Sequence, residues 1–159
     1  MSDQPFTHLN SAGQARMVDV TAKTPTVREA TAEGFVRCSP VIIEALRSGN
    51  APKGDVLAVA RIAGIQAAKR TAELLPLAHI IGVHGATVDL EVTDDGVAVT
   101  ATVRTADRTG VEMEAMTAVS VAALAIVDMV KGMDKTVQIE TVRLLAKSGG
   151  RSGDWRRPE

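Results

Sequence analysis

TGVEMEAMTAVSVAALAIVDMVKG, residues Thr109 to Gly132, reads as one long helix carrying its own start and stop signals. Thr109 with Glu112 three residues on is a capping-box pattern, and Gly132 stands where helices commonly end. Val121, Leu124, Asp128 and Lys131 follow one another at spacings of three and four, so they share a face. The upper part of that face is core-like and the lower part is an acid and a base. An Asp and a Lys that continue an apolar stripe predict a partly buried pair, with perturbed proton affinities or a partner bound between them.

The segments on either side of this helix set the topology. Before it, His84–Thr93 and Val97–Asp107 alternate in polarity and are joined by Asp94-Asp95-Gly96, a strong hairpin signal. After it, Thr136–Ala146 reads as a last strand. Further upstream, Val27–Cys38 alternates with Ala30, Ala32, Gly34, Val36 and Cys38 on one side, the pattern of a half-buried strand. Ser39-Pro40 then supplies an N-cap and first helical position for a helix to about Arg47, ended by Gly49. Asp55 caps a second long helix predicted to run to about Leu74, before Pro76. In that helix Ala60, Ala63, Gly64 and Ala67 form a seam of small residues. A mid-helix glycine costs roughly 1 kcal/mol against alanine, so Gly64 is expected to relieve a steric contact. Residues 1–26 read as irregular and polar, with a short candidate strand at Met17–Val20. The order strand, helix, helix, hairpin, helix, strand predicts an α+β fold: a ferredoxin-like antiparallel sheet with helices packed on one face. Residues 1–159 read as one domain, with 1–16 and 148–159 expected to be flexible.

The 159 residues suffice for one real core, and 45% hydrophobic content with a net charge of −1 marks a globular chain, not a basic nucleic-acid binder. No apolar run is read as long enough to cross a bilayer, and MSDQPFTHLN lacks the layout of a signal peptide, so cytoplasm is the expected compartment. The single Cys38 excludes an internal disulfide and an all-Cys metal site. Aromatic residues are only 2% of the chain, so the core is built from Ala, Val, Ile, Leu and Met, each burying little area. Such a chain is expected to recover stability by burying surface between subunits.

Asp128 and Lys131 lead the candidates for chemistry. A surface i,i+3 pair, with Lys131 complementing the helix dipole, is an equally weighted reading of the same spacing. Lys53 sits in a Pro-Lys-Gly-Asp loop ahead of a helix N-terminus, where anions bind well, although a solvated loop lysine fits too. Glu112 can be explained by the capping box; Glu114, flanking Met113, cannot. His79 lies in the junction after Pro76, a common place for a structural histidine. There is no His/Cys or clustered Asp spacing for a metal, no phosphate-binding glycine motif and no nucleophile elbow. The Lys147–Gly153 tail offers two cations and backbone N–H groups apt for phosphate, or a disordered terminus.

MVDVTAK (17–23), TVREA (26–30), KGDVLAVARIAGIQAAKRTAELLPLAH (53–79), DRTGVEMEAMTAVSVAALAIVDMVK (107–131) and VRLLAKSGGRSGD (142–154) together closely resemble the cyclic pyranopterin monophosphate synthases, the accessory protein C family of molybdenum-cofactor biosynthesis. The resemblance spans nearly the whole chain. It implies a lyase that converts 3′,8-cyclo-7,8-dihydro-GTP, delivered by an upstream radical SAM enzyme, to cyclic pyranopterin monophosphate and pyrophosphate. It implies a ferredoxin-like fold and a homohexamer, a trimer of dimers with active sites at dimer interfaces. It carries the catalytic roles to Asp128, Lys131 and Lys53, the last expected from the same or a neighbouring subunit. Substrate contacts carry to Leu77, Ala78, His79, Glu112, Met113 and Glu114, and the neighbourhood of the phosphates to Arg28, Lys147 and Arg151. No cofactor is implied, with Mg²⁺ at most accompanying the substrate's triphosphate; neither nucleic acid nor membrane is a partner. The chain departs from the family's usual Leu-Cys-His-Pro with Leu77-Ala78-His79-Ile80, which removes the proline that would hold His79 extended. That departure keeps a second reading open, a non-catalytic ferredoxin-like oligomer that binds nucleotide as a sensor.

Overall fold

Residues 6–159 are described by a computed structural model. The hairpin reading places strands β2 (Gly85–Val92) and β3 (Gly96–Asp107) side by side, and β3 pairs along its whole length with β1 (Thr26–Arg37). The last long strand, β4 (Gln138–Ser148), flanks β1 on its other edge. With the short β5 (Trp155–Arg156) the order is β2-β3-β1-β4-β5, every pair antiparallel. This is the ferredoxin-like α+β arrangement expected. Gly96 closes the hairpin where only a glycine fits: a Cβ there would stand 2.0 Å from the Val36 carbonyl oxygen.

The helices are α1 (Pro40–Ser48), α2 (Val56–Ala68), α3 (Thr71–Leu74) and α4 (Glu112–Val130). α2 and α4 lie side by side on one sheet face. Their core is made of small and branched side chains: Ala30, Ala32 and Val36 from β1; Val97, Val99, Ala101 and Val103 from β3; Ala115, Ala118, Val119, Ala122 and Ile126 from α4, all essentially without solvent exposure. Gly64 sits in the α2–α4 seam, where a Cβ would lie 3.0 Å from the Ala118 carbonyl oxygen, 3.0 Å from Val88 and 3.2 Å from Ala122.

Several expectations change. The helix predicted from Asp55 to about Leu74 is broken at Lys69-Arg70 into α2 and α3. The Lys69 and Arg70 N–H groups donate to carbonyls only three residues back, and the Thr71 hydroxyl donates to the Ala67 and Ala68 carbonyls. Met17–Val20 forms no strand; an Asx turn, Thr21 N–H to Asp19, bends the chain just after it. The capping box is not made: Val111 stands in the cap position of α4, without a side-chain cap, and Ser39 likewise precedes α1 without bonding its N–H groups. Finally, α4 has the length and hydropathy of a membrane-crossing helix, against the expectation that no apolar run is long enough, yet it is packed along the sheet of this domain. Asp55 does cap α2, accepting from the Ala58 N–H at 3.0 Å, and Gly49 ends α1 in the left-handed conformation at φ 74.

The segment 148–159, expected to be flexible, is laid along the outer sheet edge. Gly149 and Gly150 turn the chain at positive φ, β5 pairs with β4 through Lys147 and Trp155, and Arg157 donates to the Leu144 and Leu145 carbonyls.

Candidate functional site

α4 is apolar almost all the way round, so its two sides do different work. Ala115, Ala118, Val119, Ala122 and Ile126 face the sheet; Met113, Leu124, Asp128 and Lys131 face outward. The stripe read from the sequence is therefore real but lies on the solvent side of the chain, and the partial burial expected for Asp128 is not found: its side chain is 63% exposed.

Around Asp128 the expected cluster does gather. The Lys131 ammonium donates to its carboxylate across one helical turn, and Lys53 Nζ donates to the Asp128 main-chain carbonyl at 3.1 Å, 3.7 Å from the carboxylate. Lys53 reaches it from within the same chain, carried by the loop that Gly54 turns at φ 103 before Asp55 caps α2. The Lys131 hydrogen bond and charge, followed by the charge of Lys53, hold the Asp128 carboxyl below its ordinary range. The result is an ionised carboxylate with two cations, open to any anion that outbids it.

The opposite end of α4 holds a cavity of about 330 Å³. Leu77, Ala78 and His79 line one side, Gly110, Glu112, Met113 and Glu114 another, and Val18, Val20 and Lys23 close it. The two predicted substrate-contact segments thus meet in one place. Glu114 is 4% exposed, and burial pushes its carboxyl up to about 7, helped by the charge of Glu112 and opposed by its own backbone N–H. His79 donates its Nε2–H to the Val18 carbonyl at 2.5 Å, which leaves Nδ1 as an acceptor. Lys23 and Val18 were not singled out from the sequence; the signal was their place in the MVDVTAK motif, whose irregular backbone gave no periodicity to interpret.

Arg28 is buried at the same end, 7% exposed, donating to the Asp107 carbonyl at 3.1 Å and the Arg108 carbonyl at 3.4 Å beneath Gly150. Lys147 bonds the Ser152 hydroxyl and Arg151 is exposed, so these cations sit on the tail side of the sheet. The cavity and the Asp128 cluster are not joined within one chain. Fourteen residues of α4 separate Glu114 from Asp128, about 21 Å at 1.5 Å per residue.

The MoaC family model matches residues 17–150. Proteins named cyclic pyranopterin monophosphate synthase from a Nocardioides species, Streptomyces coelicolor and Chloroflexus aurantiacus are 56%, 60% and 56% identical to the chain. The alignments cover 99%, 96% and 96% of this chain and 100%, 89% and 95% of those proteins.

Proposed function

Because the chain belongs to the MoaC family, we infer that it is a cyclic pyranopterin monophosphate synthase, a lyase of molybdenum-cofactor biosynthesis. Its substrate is the small-molecule pterin precursor 3′,8-cyclo-7,8-dihydro-GTP, and its second product is pyrophosphate. The observation that carries the site is the meeting of Lys53 and Lys131 on Asp128.

Closing the cyclic phosphate requires a substrate hydroxyl to attack the innermost phosphorus, forming one P–O bond as the bond to pyrophosphate breaks. That step needs a base for the hydroxyl proton and cations for the leaving charge. Asp128 is the base in this scheme. The two lysines that depress its proton affinity are also the groups a triphosphate recruits. As they turn to the phosphates, Asp128 loses the charges that hold its proton affinity down and becomes a better proton acceptor. The cavity at the other end of α4 is the right size to take a ring system, with Glu114 able to give or take a proton near neutrality and His79 presenting Nδ1. No resident cofactor enters this scheme; Mg²⁺ comes, if at all, with the triphosphate.

A separation of about 21 Å is more than one substrate spans between ring and innermost phosphate, so each working site takes the cavity of one chain and the lysine–aspartate cluster of another. A homohexamer built as a trimer of dimers, working in the cytoplasm downstream of a radical SAM enzyme, completes the reading. The test mixes two dead variants by co-expression, Asp128→Asn and Glu114→Gln, and measures pyrophosphate together with pterin fluorescence after oxidation. Random pairing leaves about a quarter of shared sites with both halves intact, so roughly a quarter of wild-type activity should return. A mixed preparation no more active than either variant alone would sink the shared site.

A further inference from the structure

Among the described residues, two cations at the tail end of the sheet have no acid bonded to them. Arg28 is 7% exposed, yet its guanidinium donates only to the Asp107 and Arg108 carbonyls and otherwise faces Gly150. Lys147 donates to the Ser152 hydroxyl, and Asp154, the carboxylate of that turn, accepts from the Gly149 N–H at 3.2 Å. A buried cation without a bonded carboxylate calls for an anion from outside the chain. The turn from Ser148 to Asp154 lies directly on it. A Cβ on Gly149 would collide with the Val27 carbonyl, and one on Gly150 with the Arg28 guanidinium.

What keeps the turn there lies beyond residue 150, where the family match ends. β5 is two residues long, too short to stay on a sheet edge by its ladder alone. The register of β4 on β1 slips between Thr31 and Ala32, which leaves Leu145 as the extra residue of a bulge. Arg157 takes the two carbonyls at that bulge: its main-chain N–H donates to Leu145 at 2.7 Å and its Nε–H to Leu144 at 2.6 Å. The same guanidinium lies over the Trp155 ring, 5.7 Å from its centre, and Trp155 pairs with Lys147. Each link is a contact: Arg157 to β4, Trp155 to Lys147, Lys147 to Ser152, Gly150 to Arg28.

We propose that Arg157 is a positioning residue for the substrate's phosphates: by pinning β5 to the bulge of β4 it holds Lys147 and the Gly149–Gly153 turn against Arg28, and so sets the anion affinity there. A lysine would carry the same charge, but its donors sit one bond further out and it has no planar face to lay on Trp155.

The consequence for turnover rests on the synthase reading; the latch does not, and the experiment separates them. Trp155 is the chain's one tryptophan and there is no tyrosine, so tryptophan fluorescence reads the latch. Acrylamide quenching of Trp155, pyrophosphate affinity by calorimetry, and kcat and KM are compared for the wild type, Arg157→Ala, Arg157→Lys, Gly150→Ala and the Arg157→Ala/Gly150→Ala double variant. Arg157→Ala should increase quenching, weaken pyrophosphate binding about tenfold, as expected for one lost hydrogen bond from a charged donor, and raise KM by a similar factor with little change in kcat. Arg157→Lys should behave in the same way, because charge alone does not make the Leu144 bond. Gly150→Ala should weaken binding with Trp155 still shielded. The double variant should bind no more weakly than Gly150→Ala, since both changes act through one turn. Unchanged quenching in Arg157→Ala, full recovery in Arg157→Lys, additive losses in the double variant, or a wild type that binds no pyrophosphate overturns the proposal. A wild type that binds pyrophosphate but makes no pterin would defeat the synthase reading and leave quenching and binding to judge Arg157.

Discussion

A carboxylate's surroundings decide what it can do, and the two ends of α4 hold opposite cases. Glu114 is buried, with its proton affinity raised to about 7. Its folded-state value therefore exceeds the unfolded one of 4.5, so the native state holds the extra proton between them. The sign follows: any stability tied to this proton is intact below the unfolded value and drains away as pH climbs through about 7. Glu114→Gln should accordingly match the wild type in melting temperature at pH 4.5 and exceed it by a few degrees at pH 8, while losing turnover about a hundredfold or more. Calorimetry at the two pH values with the coupled pterin assay checks both. Asp128 is the reverse, exposed and depressed by Lys131 and Lys53, so its small stabilising effect is present above its unfolded value and lost on acidification through the folded one. Asp128→Asn should abolish turnover with fold and oligomer unchanged by circular dichroism and light scattering. The sequence spacing showed the Asp128–Lys131 pair directly; the arrival of Lys53 depends on a contact across 75 residues, which no local pattern encodes. The burial of Glu114 was equally hidden, because on an all-round apolar helix periodicity does not say which face meets the sheet.

Among the elements, the α2–α4 seam carries the most constraint. A methyl at Gly64 would press on the Ala118 carbonyl, which as helix backbone cannot move aside cheaply. Ala gains about 1 kcal/mol of helix propensity over Gly, against about 1–3 kcal/mol for overpacking. Gly64→Ala is therefore expected to destabilise by about 1 kcal/mol in urea titration, and Gly64→Val by about 3 kcal/mol or more, with its added methyls meeting Val88 and Ala122 as well. The seam itself was readable, because four small residues at helical spacing clear one helix face for a closely packed neighbour. So were β1, the Asp94–Gly96 hairpin and the ends of α1, each marked by strict alternation or by Pro and Gly punctuation. The break between α2 and α3 was not: Lys69, Arg70 and Thr71 are all acceptable in a helix, and the break depends on one hydroxyl taking two carbonyls. The start of α4 slipped by two residues for a related reason. Thr109 and Glu112 have the right spacing for a capping box, yet the chain bends at Arg108 and Thr109 themselves, and the cap position falls to Val111, which is buried in the core.

At the scale of the whole molecule, the outward face of the helical layer is what a lone chain leaves uncovered. Val59 and Ile62 on α2 and Leu124 on α4 are 44%, 68% and 57% exposed, in a protein whose core has almost no aromatic area to draw on. Leu124 lies one turn before Asp128 on the same stripe, so whatever covers it also borders the lysine–aspartate cluster. A second subunit there would bury apolar surface and exclude water from the lysine–aspartate group in one step, strengthening each charge interaction as the dielectric falls. Assembly and activity should then fail together. Leu124→Asp places a charge on that face without touching the core contacts of α4, so the domain should keep its circular dichroism spectrum while light scattering shows a smaller species and turnover falls about a hundredfold or more. Leu124→Met, which conserves volume and polarity, should retain both the assembly and the rate. An Asp variant that remains fully assembled and active would mean that this face stays in water and that the shared site is formed elsewhere on the molecule.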